Sequence, residues 1–340
     1  MTIREALEER ERQTLGSHAA QAAQSRGRLH PEPEHEYRTA FQRDRDRILH
    51  SKAFRRLKRK TQVFLAPEGD HYRTRLSHTL EAAQIARTAA RALFLNEDLT
   101  EAIALGHDLG HTPFGHAGEA ALNEVYEPGF RHFEQSLRIV DKLEAGRAGP
   151  GLNLTFEVRD GILNHSKGKS LFQGQRIRSA ATLEGELVSI CDAIAYVNHD
   201  IDDAIRGGLI TMEDLPRNSI RVLGRTTSER INMMVGALIG GSQGGPISMT
   251  DEVRAATHEL RNHLYEHVYP HPAIYTEITK AKKLLGEMYF RLLERPTNES
   301  AAGDSSDSLE RRTVDFIAGM TDHYALQLYQ QLFFPAAWPA

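Results

Sequence analysis

Three histidines and two carboxylates fall within fifteen residues of one segment, Leu105-Gly-His107-Asp108-Leu-Gly-His111-Thr-Pro-Phe-Gly-His116-Ala-Gly-Glu119. Imidazole and carboxylate ligate divalent cations and move protons near neutral pH, and packing alone does not call for such a density. Adjacent residues on a helix diverge by ~100°, so His107 and Asp108 can serve one ion only where the helix side meets other elements. Two segments offer such elements. His78 opens an apolar helix in Arg75-Leu-Ser-His78-Thr-Leu-Glu81, and Asp192 is embedded in the apolar stretch of Cys191-Asp192-Ala-Ile-Ala-Tyr196-Val-Asn-His199-Asp200. A buried, unpaired carboxylate is costly, so Asp192 requires a compensating cation. His78, His107, Asp108 and Asp192 together form a mixed nitrogen and oxygen set suited to Mn, Fe, Co, Ni, Zn or Mg, with no thiolate to make it a structural zinc site.

Asp192, Tyr196 and Asp200 follow at i, i+4 and i+8, a drift of only ~80° around one helix face, so one ligand can touch all three. Asp200, followed by Asp202 and Asp203, reads equally as part of a solvated face. His116 lies on a glycine-flanked turn able to approach a substrate; with Glu119 it forms either a proton-transferring pair or a capping pair. Arg56 and Arg75 suit phosphate oxygens. His165, in Leu163-Asn-His165-Ser-Lys167, either reaches those phosphates or is a surface-loop histidine, and His199 has the same two readings. The cationic run Lys52 to Lys60 is a solvated face beside a pocket, or a contact for an activating nucleotide or single-stranded nucleic acid. Two decoys are excluded: Gly168-Lys169-Ser170 lacks the glycine of a phosphate-binding loop five positions earlier, where Leu163 stands, and His258-Glu259 to His263 misses the H-E-x-x-H spacing by one residue.

The scaffold that must position these groups reads as all-α. Apolar residues recur at helical spacing over Arg38–Thr61, Ser77–Leu95, Leu99–Leu109, Gly118–Tyr126, Phe130–Leu143, Glu157–Leu163, Leu183–Ile205, Ile220–Gly236, Met249–His267, Ile274–Leu293 and Leu309–Leu332. Strand signals are scarce, limited to a short hairpin between Val63–Leu65 and Leu152–Phe156. Pro296–Leu309 is the best candidate for a disordered loop. Residues 1–35 form a charged arm and 36–340 a single helical domain. With 42 Lys and Arg against 46 Asp and Glu, the net charge of −4 implies no wholesale affinity for nucleic acid or membrane. No run approaches the ~20 apolar residues of a membrane span, Met1-Thr2-Ile3-Arg4-Glu5 has no apolar signal core, and the single cysteine cannot form an intramolecular disulfide. A cytoplasmic protein is expected.

The segments Ser51-Lys-Ala-Phe-Arg-Arg-Leu-Lys-Arg-Lys-Thr-Gln62-Val-Phe, Arg73 to Glu81, His107 to Glu119 and Asp192 to Asp203 resemble, in order and separation, those of the HD-domain deoxynucleoside triphosphate triphosphohydrolases, in particular their bacterial dGTPase-like branch. The resemblance covers roughly residues 35 to 210. It implies an HD core at about 70–205 with additional C-terminal helices over about 206–340. It also implies water attack on the alpha-phosphorus of a deoxynucleoside triphosphate, releasing a deoxynucleoside and tripolyphosphate, with a divalent metal such as Mn, Mg, Co, Fe or Ni. By the same resemblance His78, His107, Asp108 and Asp192 would hold the metal and His116 with Glu119 would serve the catalytic step. His111 would stand behind them or against a phosphate, Arg75 would contact phosphate, and Gln62, Tyr196 and Asp200 would touch the deoxyribose or adjoining phosphates. A homo-oligomer, with a second deoxynucleoside triphosphate as activator in some members, is also implied. Two other readings remain: another HD-type nucleotide phosphohydrolase or phosphodiesterase, and a non-catalytic nucleotide sensor or nucleic-acid-binding module.

Overall fold

A computed structural model of the chain describes residues 1–62, 73–146, 149–166 and 179–335. Among them are fifteen α-helices, and the one sheet is a two-stranded antiparallel ribbon, Ala145–Gly146 with Gly149–Pro150. The centre is built by α4 (Arg75–Ala92), α5 (Glu97–Gly106) and α9 (Leu183–Arg206), with α2 (Ala40–Leu49) against α5 and α8 (Phe156–Asn164) against both α5 and α9. Buried alanines at 82, 86, 89 and 90 let α4 approach its neighbours closely, while Ile103, Ile162, Leu187 and Ile194 fill the space between. A second apolar cluster joins α6 (Gly115–Val125) to α13 (Pro272–Glu294), α14 (Leu309–Ala318) and α15 (Asp322–Phe333) through Leu122, Leu285, Met288, Val314 and Ala325. The His107 to His116 segment leads from the first cluster into the second.

Several helices expected to be continuous are broken by caps. Residues 38–61 divide at Ser51, whose hydroxyl accepts the Phe54 N–H at 3.0 Å and starts α3 (Lys52–Arg56). Residues 220–236 divide at Gly224, with φ 105°, into α10 (Arg217–Leu223) and α11 (Thr227–Gly241), the latter opened by a Thr226–Glu229 capping box. The final helix divides at Gly319–Thr321, and Thr321 caps α15. α7 (His132–Arg138) continues as a wider turn through Leu143, and α12 (Asp251–His263) does the same through Val268. The expected hairpin falls partly on residues 63–65, outside the described residues; Thr155 instead bridges Arg28. Gly168-Lys169-Ser170 also lies outside them. Pro296–Leu309 is not the free loop its polarity suggested: Ser300 is buried, Lys142 Nζ lies 2.8 Å from both Asp304 and Asp307, and Arg138 lies 2.6 Å from Asp307.

The N-terminal arm is half solvated and half anchored. α1 (Ile3–Thr14) buries no residue, but beyond it the Glu157 carboxylate accepts the Ser25 hydroxyl at 2.7 Å and the Arg26 N–H at 2.8 Å. Arg28 pairs with the fully buried Asp44, which also accepts the Thr155 N–H at 2.8 Å. Removing one member of such a pair leaves the other uncompensated. Asp44→Ala should therefore lower unfolding free energy by about 3–5 kcal/mol in a denaturant titration, with α9 otherwise intact.

Candidate active site

Helix starts and ends deliver Arg75, His78, His107, Asp108 and His116, while Asp192 and Tyr196 come from the middle of α9. Thr74 Oγ1 accepts the Ser77 N–H at 3.4 Å and Ser77 Oγ accepts the Thr74 N–H at 3.1 Å, a reciprocal cap that puts Arg75 and His78 on the first turn of α4 with both side chains buried. Asn96 caps the start of α5, which ends at His107, so His107 and Asp108 leave the helix on the following turn. α7 fixes that turn: the Gly110 N–H donates to Ser136 Oγ at 2.8 Å, and the same hydroxyl donates to the His107 carbonyl at 2.7 Å. A Cβ at Gly110 would stand 2.2 Å from Ser136 N, so the approach demands glycine. Phe114 (φ 62°, ψ 22°) and Gly115 (φ 56°) then swing the chain into α6. A left-handed backbone at Phe114 costs about 1–2 kcal/mol, and its surroundings must impose it.

The four side chains singled out by type lie around one point. His78 Nε2 is 3.0 Å from Asp192 Oδ1 and 4.0 Å from Asp108 Oδ2; His107 Nε2 is 3.3 Å from Asp108 Oδ1 and 3.5 Å from Asp192 Oδ1. His107 Nδ1 donates to the Ala104 carbonyl at 2.6 Å, leaving Nε2 buried with no hydrogen-bond partner among the described residues. A bare lone pair facing two carboxylates is repelled, so this nitrogen calls for a proton or a cation. Burial lowers its pKa, but Asp108 and Asp192 outweigh burial and raise it to about 9. Burial pushes both carboxyls up, while the nearby imidazoles, joined at Asp108 by Arg75, hold them well below the usual range. His78, His107 and Asp192 offer ligand atoms within 4.8 Å of one another, and His107 and Asp108 do so with His165; with the orphaned nitrogen, this imidazole and carboxylate chemistry fits a divalent metal. Behind this centre, His78 Nδ1 is 3.2 Å from His199 Nδ1, and His199 Nε2 meets the Glu81 carboxylate.

Beside the quartet lies a group of imidazoles. His111 Nε2 is 3.2 Å from Asp108 Oδ1, and its ring stacks on His132 with centroids 4.0 Å apart. Burial, Arg75 and His132 hold His111 well below the usual histidine range, so it is neutral. Glu119 accepts from His132 Nδ1 at 2.9 Å and lies 3.5 Å from His116 Nδ1. Burial raises its carboxyl, but His116, His132 and His111 more than reverse this and keep it ionised. His116 is 63% exposed and lines the same narrow, solvent-open cavity, of about 150 Å³, as Gln62, Arg75, His78, Asp108, His111 and Asp192.

The structure departs from the sequence reading at several side chains. Of the two readings of His165, the surface loop fails and the place at the cavity stands: it caps α8, is 2% exposed, lines the cavity, and its Nε2 lies 3.3 Å from His132 Nε2; burial, His107 and His132 lower its pKa to about 3. Nor is Asp200 on a solvated face or the cavity wall; it is buried behind Tyr269, whose hydroxyl donates to it at 2.5 Å and also meets the Tyr196 hydroxyl. Tyr196 lines the cavity, and i+8 places Asp200 one layer deeper, where neighbouring helices cover it. Arg56 is exposed, outside the cavity lining and near the Gly319 turn. Of the cationic run, Lys52, Arg55, Arg56, Lys58 and Arg59 are exposed while Lys60 is buried. Sequence reasoning passed over His132, Arg261 and Tyr265, which also line the cavity. The signal for His132 was a polar stripe, His132, Gln135 and Ser136 at i, i+3 and i+4, on a helix buried along that face; Arg261 and Tyr265 belong to no local pattern.

The helical fold and its histidine–aspartate centre define an HD-domain protein: residues 75–197 match the HD domain family and residues 247–331 the phosphohydrolase-associated domain. Similarity to curated proteins extends over nearly the whole chain. It is 53% identical to the deoxyguanosinetriphosphate triphosphohydrolase-like protein of Caldanaerobacter subterraneus subsp. tengcongensis, covering 99% of this chain and 98% of that one. It is 49% identical to the protein so named in Desulfatibacillum aliphaticivorans, covering 98% and 99%. The chain belongs to the deoxyguanosinetriphosphate triphosphohydrolase-like family of HD-domain hydrolases. Among solved structures, a hypothetical protein from Aquifex aeolicus superposes with a TM-score of 0.49 at 17% identity, over 85% of this chain and 71% of that one. No helix among the described residues is long and apolar enough to cross a membrane.

Burial raises the Asp200 carboxyl to about 8, so the folded state holds a proton that the unfolded chain releases near 4. Its contribution to stability is fully present below the unfolded pKa and is lost as pH rises through about 8. Urea titrations from pH 5 to 8.5 should therefore show Asp200→Asn gaining on the parent protein as pH increases; parallel curves would contradict a buried, protonated Asp200.

Proposed function

We propose that the protein hydrolyses deoxynucleoside triphosphates to deoxynucleoside and tripolyphosphate, with a divalent cation held by His78, His107, Asp108 and Asp192. The observation that carries this reading is the orphaned His107 Nε2, fixed by its Nδ1–H bond to Ala104 and buried against two acids, Asp108 and Asp192, that line a cavity with cations and imidazoles. The names of the relatives, deoxyguanosinetriphosphate triphosphohydrolase-like proteins, agree with it. A bound cation would supply positive charge against the alpha-phosphate oxygens and acidify a water molecule.

The chain's own groups supply the rest. Arg75 is already oriented by Asp108, at 2.7 Å, and turns its second amino group toward the Gln62 carbonyl at 3.4 Å, so it enters the cavity at a fixed angle and attracts phosphate oxygens. Attack of a water oxygen on the alpha-phosphorus breaks its bond to the 5′ oxygen, which must gain a proton as the water loses one. His116 is the exposed imidazole at the cavity and exchanges that proton with the reacting oxygens; the ionised Glu119 stands 3.5 Å from its Nδ1 and orients the ring. His132 and His111 hold Glu119 and the HD turn in register. Tyr196, Tyr265 and Arg261 also line the cavity and would meet the sugar and base.

The test is a panel of deoxynucleoside triphosphates incubated with Mn or Mg, read by phosphorus NMR. Tripolyphosphate is the expected product; orthophosphate or pyrophosphate would instead indicate another HD-type phosphohydrolase, and binding without any product a nucleotide sensor. Asp108→Ala should abolish both bound Mn, read by calorimetry, and turnover. His116→Ala should lower kcat by about 10²–10⁴-fold while leaving Mn affinity unchanged.

A further inference from the structure

The HD turn is held from outside the HD domain. Asp322, the first residue of α15 and only 8% exposed, accepts the Phe114 N–H with Oδ1 at 3.0 Å and the Thr61 N–H with Oδ2 at 2.9 Å. Phe114 is the left-handed residue at the start of α6, where no side chain of α6 itself supplies a cap. The helix carrying His116 and Glu119 is therefore oriented by a carboxylate more than two hundred residues away in sequence. Two further ties converge on the same part of the site. Lys60 Nζ, buried beside Asp322, donates to the His111 carbonyl and to the Ala318 carbonyl at the end of α14. Asp315 of α14 receives Gln135 at 2.9 Å and Arg138 at 2.7 Å, both from α7, the helix that begins with His132. The side chains of the metal quartet are untouched by these contacts.

We propose that Asp322 is a positioning residue for catalysis: with Lys60 and Asp315 it sets the places of His111, His116 and His132, the imidazole corner beside the His78, His107, Asp108 and Asp192 centre, while touching none of those four side chains itself. The break at Gly319–Thr321 is what makes this possible, because it starts α15 afresh and puts the Asp322 carboxylate on a first turn, facing two backbone N–H groups of distant segments. A carboxylate is required rather than a hydroxyl, since each oxygen serves a different donor on a different segment. The kinetic part of this inference rests on the triphosphohydrolase reading; the structural part does not.

Asp322→Ala and Asp322→Asn separate the two. The alanine variant should lose about 10- to 100-fold in kcat, with nucleotide KM and Mn affinity within about twofold of the parent, because misplaced proton groups cost turnover rather than binding. The asparagine variant keeps the volume and one acceptor oxygen, so it should fold and fall between the two. Hydrogen exchange of both variants should show lost amide protection at residues 60–62 and 111–116, with α9 protected as before. Unchanged kcat, or a loss of Mn affinity matching the loss of kcat, would overturn the proposal. If the parent protein releases no tripolyphosphate from any nucleotide, the functional reading fails, and exchange alone decides the latch: unaltered protection at Phe114 would overturn it.

Discussion

The structure depends on two carboxylates, Asp108 and Asp192, being brought to the same two imidazoles, His78 and His107, at the wall of one cavity. Like charges near one another repel, and burial penalises each of them, so positive or polarisable groups must stand against the pair. Arg75 takes one oxygen of Asp108, His111 lies against the other, and His78 and His107 stand between the two acids. Three helices that share little local sequence character, α4, α5 and α9, are thereby committed to one geometry. Their apolar packing brings them together, but the acid pair dictates which residues must meet.

Around that pair the protein is organised in two parts with different duties. The first apolar cluster, centred on α4, α5 and α9, carries the metal-type donors; the second, joining α6 to the last three helices, carries the exposed His116 and the Glu119 carboxylate. The cavity opens between them. Arg261 and Tyr265 close it from α12, so residues that contribute to one pocket are drawn from most of the chain. This accounts for the presence of the phosphohydrolase-associated segment: it supplies a cavity wall, and it braces the turn that leads into α6.

How far the sequence discloses this arrangement depends on the range of the forces involved. Helices were readable from periodicity because each buries one face, and the acids and imidazoles of the centre stood out because carboxylates inside apolar runs are anomalous wherever the chain folds. Helix breaks were less readable: Ser51 and Thr321 act as caps only because local hydrogen bonds win over a periodic pattern that continues past them. Depth was not readable at all. Nothing in the spacing of Asp192, Tyr196 and Asp200 tells which of them faces a cavity and which is sealed beneath Tyr269, and nothing near Asp322 or Arg261 marks either as belonging to the site. Those assignments come from packing between segments that lie far apart along the chain.

The stack of His111 on His132, with ring centroids 4.0 Å apart, is a mechanical joint between two segments. Asp108 lies 3.2 Å from the Nε2 of one ring and Glu119 accepts from the Nδ1 of the other at 2.9 Å, so each ring is tethered to its own acid. A displacement of the turn after α5 is thereby transmitted, through one aromatic contact, to the start of α7 and on to the Glu119 carboxylate.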